Sequence, residues 1–233
     1  MIVKKIRAFI RWVLVAFFGS TILAVVAFRF IPVFITPLMV IRCVQQVKMG
    51  KEIKMRHDWV SIDQIARHLP MAVMASEDAR FLEHHGFDFK AIEHAVERNV
   101  KHPEKQKLGA STISQQTAKN VFLWPGRSWL RKGFEVYFTG LVELMWSKER
   151  IMEVYLNSIE MGDGIYGAQA VAKEHFGCEA KDLSREQSAL IAVSLPNPIR
   201  FNSQSPSRYM YRRQSRILRE MKYVERVNSE FLK

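Results

Sequence analysis

Cysteine is nearly absent: Cys43 and Cys178 are the only two in 233 residues. At most one disulfide can form, and both cysteines sit among small apolar neighbours that give no reason to pair them. No stretch alternates apolar and polar residues for long enough to demand a sheet, so a sheet-built fold is excluded and the chain reads as mainly α. There is no internal repeat, no low-complexity tract and no long Gly/Ser linker, which leaves no repeat array and no flexible tether. Acidic residues are missing from positions 1–11, and charge of either sign is missing from Trp12 to Phe28.

That last absence is the most informative. An uncharged run behind Lys4, Lys5, Arg7 and Arg11 approaches the ~20 residues that cross a bilayer as a helix. The apolar character continues beyond Arg29 through Phe30-Ile31-Pro32-Val33-Phe34-Ile35. Val25-Val26-Ala27 would make only a poor cleavage site, so the segment reads as an uncleaved anchor rather than a signal peptide. The basic leader predicts an N-terminus held in the cytoplasm. The chain divides into a leader (1–8), a transmembrane anchor (9–35), a juxtamembrane connector (36–59) and a catalytic segment (60–233). The connector carries Arg42, Lys48, Lys51, Lys54 and Arg56, cations that either meet anionic head groups or are simply solvated.

With Lys+Arg 35 against Asp+Glu 23 the formal charge is +12, which calls for an anionic partner: nucleic acid, a membrane surface or a phosphorylated substrate. A hydrophobic share of 48% is enough to build a core. Helix signals then follow one another. Asp88 precedes an amphipathic run with Phe89, Ile92, Val96 and Val100. Lys101 to Lys107 is a polar, proline-broken loop. Ser128 can cap a long helix, Ser184-x-x-Gln187 fits a capping box, Pro196 and Pro198 end the next helix, and a last helix starts near Ser207 with five arginines.

Four blocks carry chemistry. The first, Ser76 to Asp88, packs four carboxylates and two imidazoles behind the apolar Met71–Ala75. Read as one helix closed by Gly86, it sets Glu77, Phe81 and His84 on a shared face, which makes Glu77 a candidate general base. Glu83, His84, His85 and Asp88 invite a metal reading. However, adjacent histidines on a helix do not converge on one ion and there is no HExxH pattern, so no residue is assigned to a metal. The second block runs Gly109-Ala110-Ser111-Thr112-Ile113-Ser114-Gln115-Gln116-Thr117-Ala118-Lys119-Asn120. Ser111 or Thr112 can cap a helix whose N-terminus, with hydroxyl, amide and ammonium groups, suits anions or sugar hydroxyls. In the third block, Arg127, Arg131 and Lys132 gather cations near Glu135. In the fourth, Lys148-x-x-Ile151-x-Glu153-x-Tyr155-Leu156-Asn157, the apolar spacing suggests scaffold with Glu153 buried and paired.

Glu77-Asp78-x-x-Phe81-x-x-His84-x-Gly86-x-Asp88 resembles the first signature of the peptidoglycan glycosyltransferases (glycosyltransferase family 51), and the other blocks follow in that family's order. Gly133 and Phe134 stand where some members carry bulkier or basic residues, so the cation set here is one short. The resemblance implies a lysozyme-like helical domain and a glycan strand grown from lipid II, with inversion at the anomeric carbon and release of undecaprenyl diphosphate. It implies catalytic roles for Glu77 and Glu135. It implies substrate contacts from Asp78, Phe81, His84, Ser111, Thr112, Gln115, Gln116, Lys119, Asn120, Arg127, Arg131 and Lys132. No cofactor is required, although a divalent cation could stimulate. The implied partners are lipid II, the growing strand, membrane lipids and wall-synthesis or division proteins, with no nucleic acid. The implied location is the bacterial inner membrane with the catalytic part outside it. As the chain ends soon after these signatures, no transpeptidase domain is expected.

Two other readings compete. A lysozyme-like hydrolase or lytic transglycosylase would need an acid for its alcohol leaving group and has no use for a cation cluster. A tethered polyanion-binding scaffold leaves the Ser-Thr-x-x-Gln-Gln block without a purpose.

Overall fold

The computed structural model describes residues 2–105 and 107–227. Met1, Gln106 of the predicted loop and residues 228–233 of the assigned catalytic segment lie outside the described residues. The fold is mainly helical. In chain order come α1 (Ile2–Phe30), α2 (Pro37–Lys48), β1 (Arg56–His57), α3 (His68–Glu77), α4 (Phe89–Lys101) and α5 (Ile113–Phe122). They are followed by α6 (Trp129–Met145), α7 (Lys148–Ser158), β2 (Glu160–Gly162), β3 (Ile165–Tyr166), α8 (Ala168–Val171), α9 (Arg185–Ser194) and α10 (Arg208–Val227). The strands form a small sheet in which β3 is central, parallel to β1 and antiparallel to β2.

The helix starts follow local chemistry. Asp88, Thr112, Ser128, Ser147 and Ser184 each accept a backbone N–H of the first turn through a side-chain oxygen, which satisfies a donor the helix itself cannot. Thr112–Gln115 and Ser184–Gln187 are complete capping boxes. The stripe on α4 behaves differently: the helix forms, yet Phe89, Val96 and Val100 are largely exposed and only Ala95 is buried.

The leader and the uncharged run make one helix. The 29 residues of α1 extend about 44 Å at ~1.5 Å per residue, and α1 is long and apolar enough to cross a membrane. Its second half lies on α6 and the start of α7. The Trp146 indole donates to the Val25 carbonyl at 2.8 Å, the Thr21 and Tyr137 hydroxyls meet at 2.9 Å, and Arg150 donates to the Phe28 and Ile31 carbonyls. The connector is also folded onto the body. Arg42 of α2 pairs with Glu160, the Gln46 amide brackets the backbone of Lys54, and β1 joins the sheet. Arg56 lies 3.6 Å from Glu174.

The main core joins α3, α5, α6, α7, α8 and the sheet around Phe81, Ile113, Phe138, Tyr155 and Met161. A second core of Met71, Ala72, Ala192, Val193, Met210, Ile217 and Met221 binds α3, α9 and α10. α3 is shared by both, so its C-terminal end is fixed from two sides.

Candidate active site

The first signature departs from the single-helix expectation: α3 stops at Glu77 and the chain turns through residues 79–86. The cause is Asp78. Its carboxylate leaves the helix to accept the Ile113 N–H at 3.0 Å, at the start of α5, and it meets His84 Nε2 at 2.9 Å. A negative charge at a helix N-terminus is favourable, so this contact ties the first block to the second. Phe81 and His84 therefore do not share a helix face with Glu77. Phe81 is fully buried under the Lys148 ammonium, which sits 4.6 Å from its ring centre, and His84 lies in the turn holding Asp78. The turn closes at Gly86, whose φ of +86° suits glycine, and where a Cβ would come within 2.8 Å of Thr139 Cγ2. The Gly86 carbonyl accepts the Thr112 hydroxyl at 2.6 Å.

Glu77 is thus the last helical residue before a pinned turn. Its Oε2 accepts the Gln116 amide at 3.0 Å, and the Gln116 carbonyl oxygen accepts the Tyr155 hydroxyl at 3.4 Å. Burial, with the nearby Glu77 and Asp78 charges, raises the Tyr155 pKa well above its ordinary value. The phenol therefore stays a donor, which fixes the Gln116 amide with its NH2 toward Glu77. Glu77 opens into a groove of about 1040 Å3, with Ser111 and Thr112 on one wall and Arg213 and Arg216 of α10 on another.

A second cavity of about 400 Å3 is lined by Lys119, Asn120, Arg127 and Arg131, together with Leu38, Leu123, Trp124, Pro125 and Gly126. Glu135 is only 3% exposed and is ion-paired to Arg131 at 2.6 Å and to Lys132. Burial holds the Lys119 ammonium below the usual lysine range. Glu135 and Glu77 counter this in part, while Arg131 and Lys132 reinforce it. Gln116, Lys119 and Asn120 lie three and four residues apart on one face of α5, so the same face holds Glu77 of the groove and lines the cation cavity.

A family model described as Transglycosylase matches residues 45–222. The chain belongs to the transglycosylase family. A biosynthetic peptidoglycan transglycosylase of Bacteroides thetaiotaomicron is 65% identical over 222 residues, covering 95% of this chain and 89% of the relative. Relatives of the same name from Bdellovibrio bacteriovorus and Caulobacter vibrioides are 52% and 47% identical, each over 92% of this chain and over 85% and 92% of their own lengths.

In this transglycosylase, a glycosyltransferase, the sequence-assigned residues fall into three groups. Glu77, Ser111 and Thr112 line the groove, and Gln116 holds Glu77. Lys119, Asn120, Arg127 and Arg131 line the cation cavity. Phe81, His84, Gln115, Lys132 and Glu135 line neither: Gln115 closes the capping box, and Glu135 is the counter-ion of Arg131 and Lys132. Asp78 borders the groove but spends its carboxylate on Ile113 and His84. Tyr155 belongs to a block whose spacing suggests only scaffold, and its place in the Glu-x-Tyr of that block is the one signal the sequence offers. Of the metal candidates, His84 meets Asp78, while Asp88 accepts Arg80 and the Ala91 N–H. Ligand atoms of Asp78, His84 and Asp88 lie within 4.8 Å of one another, so a cation there would compete with Arg80.

Proposed function

We propose that this transglycosylase is a peptidoglycan transglycosylase that polymerises lipid II with inversion at the anomeric carbon. Glu77 takes the proton of the acceptor's N-acetylglucosamine 4-hydroxyl. That oxygen attacks the anomeric carbon of the lipid-linked N-acetylmuramic acid, and the bond to the diphosphate breaks on the opposite face. Undecaprenyl diphosphate is already a good leaving group, so it needs charge neutralisation rather than a proton. Lys119, Arg127 and Arg131 are the groups that would supply it. Glu135 holds Arg131 and Lys132 in place.

One observation supports this reading: one face of α5 sets Gln116 against the Glu77 carboxylate and, a turn further on, Lys119 into a cation-lined cavity. A hydrolase of the finished polymer would have no use for the second half of that arrangement. α1 fits a membrane anchor, and the leader charges favour a cytoplasmic N-terminus with the catalytic part outside the inner membrane. The experiment is incubation of the full chain with lipid II, followed by separation of polymer from monomer. The reading predicts polymer. Cleavage of finished peptidoglycan, or salt-dependent binding of any polyanion without turnover, would replace it.

A further inference from the structure

The proposed reaction makes no use of the arginine-rich last helix. α10 carries its residues in stripes, and Met210, Ile217 and Met221 form the one buried against α3 and α9. A neighbouring stripe, Tyr209, Arg213, Arg216 and Tyr223, recurs at steps of four, three and seven residues and lines the groove that holds Glu77. Arg98 of α4 lines the same groove. Arg216 is answered by Glu220 at 2.8 Å, whereas Arg213 donates to the Tyr209 hydroxyl at 3.4 Å. Among the described residues, neither Arg98 nor Arg213 has a carboxylate partner.

N-acetylated sugar rings carry hydroxyls and amides but no charge, so a groove for sugar alone gains little from free guanidinium groups. Guanidinium groups suit a carboxylate or a phosphate. The departing diphosphate has its own cations in the other cavity. A second lipid II, entering as acceptor, brings a second diphosphate, but that group stays tied to a polyprenyl chain in the bilayer. α10 packs on α3 and α9, whereas the apolar α1 lies on α6 and α7. What remains is the short peptide on the N-acetylmuramic acid, which holds the carboxylates of the substrate. From Tyr209 to Tyr223 the stripe runs about 21 Å at ~1.5 Å per residue. That is room for roughly six residues of extended peptide. Both tyrosines are exposed and offer an apolar ring with a hydroxyl to such a chain. We infer that this stripe of α10, with Arg98, is a subsite for the stem peptide of lipid II, its guanidinium groups taking the peptide carboxylates. The inference rests on the proposed lipid-linked substrate and adds which part of it α10 reads.

The test uses the full chain in lipid nanodiscs and two substrates: lipid II, and lipid II whose stem carboxylates are converted to amides. With the unmodified protein, amidation should raise KM about tenfold and change kcat by less than about twofold, as for a charged hydrogen bond that serves binding alone. Arg213→Gln and Arg98→Gln should each raise KM for ordinary lipid II to a similar degree and add little with the amidated one. Arg213→Lys, which keeps the charge, should recover part of the loss. Equal loss with both substrates would assign the arginines to the acceptor's diphosphate and overturn the subsite, as would a fall in kcat at unchanged KM. A second arm uses the unmodified protein, so it stands even if a variant does not fold. Lipid II with a photoreactive group on its stem peptide should label α10 between Tyr209 and Tyr223, and excess ordinary lipid II should suppress the labelling. Labelling confined to other segments overturns the subsite. Polymer without α10 labelling sinks the subsite alone, and α10 labelling without polymer sinks the proposed reaction alone.

Discussion

At Lys119 a charge has been drawn out of water, and the consequence is a pH dependence whose sign can be worked out. Its pKa lies below the ordinary 10.5, chiefly through burial. As pH rises, Lys119 therefore loses its proton earlier than a free lysine would, and in the proposed reaction neutralisation of the departing diphosphate goes with it. Turnover should fall on the alkaline side below that ordinary value, and Lys119→Arg should carry activity to higher pH. Identical alkaline limbs in the two proteins would remove Lys119 from the step. Because the charged form is disfavoured in the folded state, folding stability gains as pH rises through the lowered pKa. Lys119→Met should accordingly cost about a hundredfold in turnover, as for a lost donor at developing charge, without lowering Tm. Arg127→Ala should behave in the same way in turnover. A parallel loss of Tm and activity in either variant would assign the residue to folding instead. At this scale the chain was only partly legible. Glu77 and Arg127 stand out by type and spacing, whereas only the fold brings Lys119 beside Arg127 and Arg131. Asp78 and His84 could not be separated from them, because the Ile113 N–H that claims Asp78 is 35 residues away. Tyr155 was hidden for the same reason, since its hydroxyl acts through Gln116, 39 residues distant.

The elements were more legible where their signals are local. The caps at Asp88, Thr112, Ser128 and Ser184 were readable because donor and acceptor lie within one turn. The end of α3 was not, because a charge-rich run has no local reason to stop at Glu77, and only the distant start of α5 supplies one. The exposed stripe of α4 was likewise beyond reach, since periodicity shows that a face exists but not what covers it. α5 is the element whose placement decides the site, and two substitutions test how it is held. Thr112→Ala removes both its cap and the bond to Gly86, and should cost about 1–2 kcal/mol in chemical denaturation. Gly86→Ala would place a methyl against Thr139 at a positive φ, and should cost about 1–3 kcal/mol. If both variants unfold like the parent, the turn of residues 79–86 is not what fixes α5. Arg213→Ala, on α10 across the groove from Glu77, then offers a contrast that leaves the α5 contacts untouched.

At the scale of the whole molecule, α1 and the helical body are one packed unit among the described residues rather than a tether and a head. Trp146, Tyr137 and Arg150 bond α1 directly, and α2 and β1 are built into the fold. The sequence showed a hydrophobic run and a basic connector but could not show this docking, which depends on side chains more than a hundred positions apart. Trp146→Phe keeps an aromatic ring but loses the indole N–H bonded to Val25 and part of the buried ring, so a loss of about 1–3 kcal/mol is expected. A reporter fused after Lys233 should be active only outside the cytoplasm, given the leader charges. A cytoplasmic signal would contradict both the orientation and the reaction. The central claim, that Glu77 is the base in glycan polymerisation, is tested most directly by the rate at which Glu77→Gln converts lipid II to polymer. Glutamine keeps the shape and can still accept the Gln116 amide, but it cannot take the acceptor's proton. The rate should fall by about a hundredfold to ten-thousandfold, with lipid II affinity and Tm little changed. Near-normal polymerisation by that variant would contradict the account.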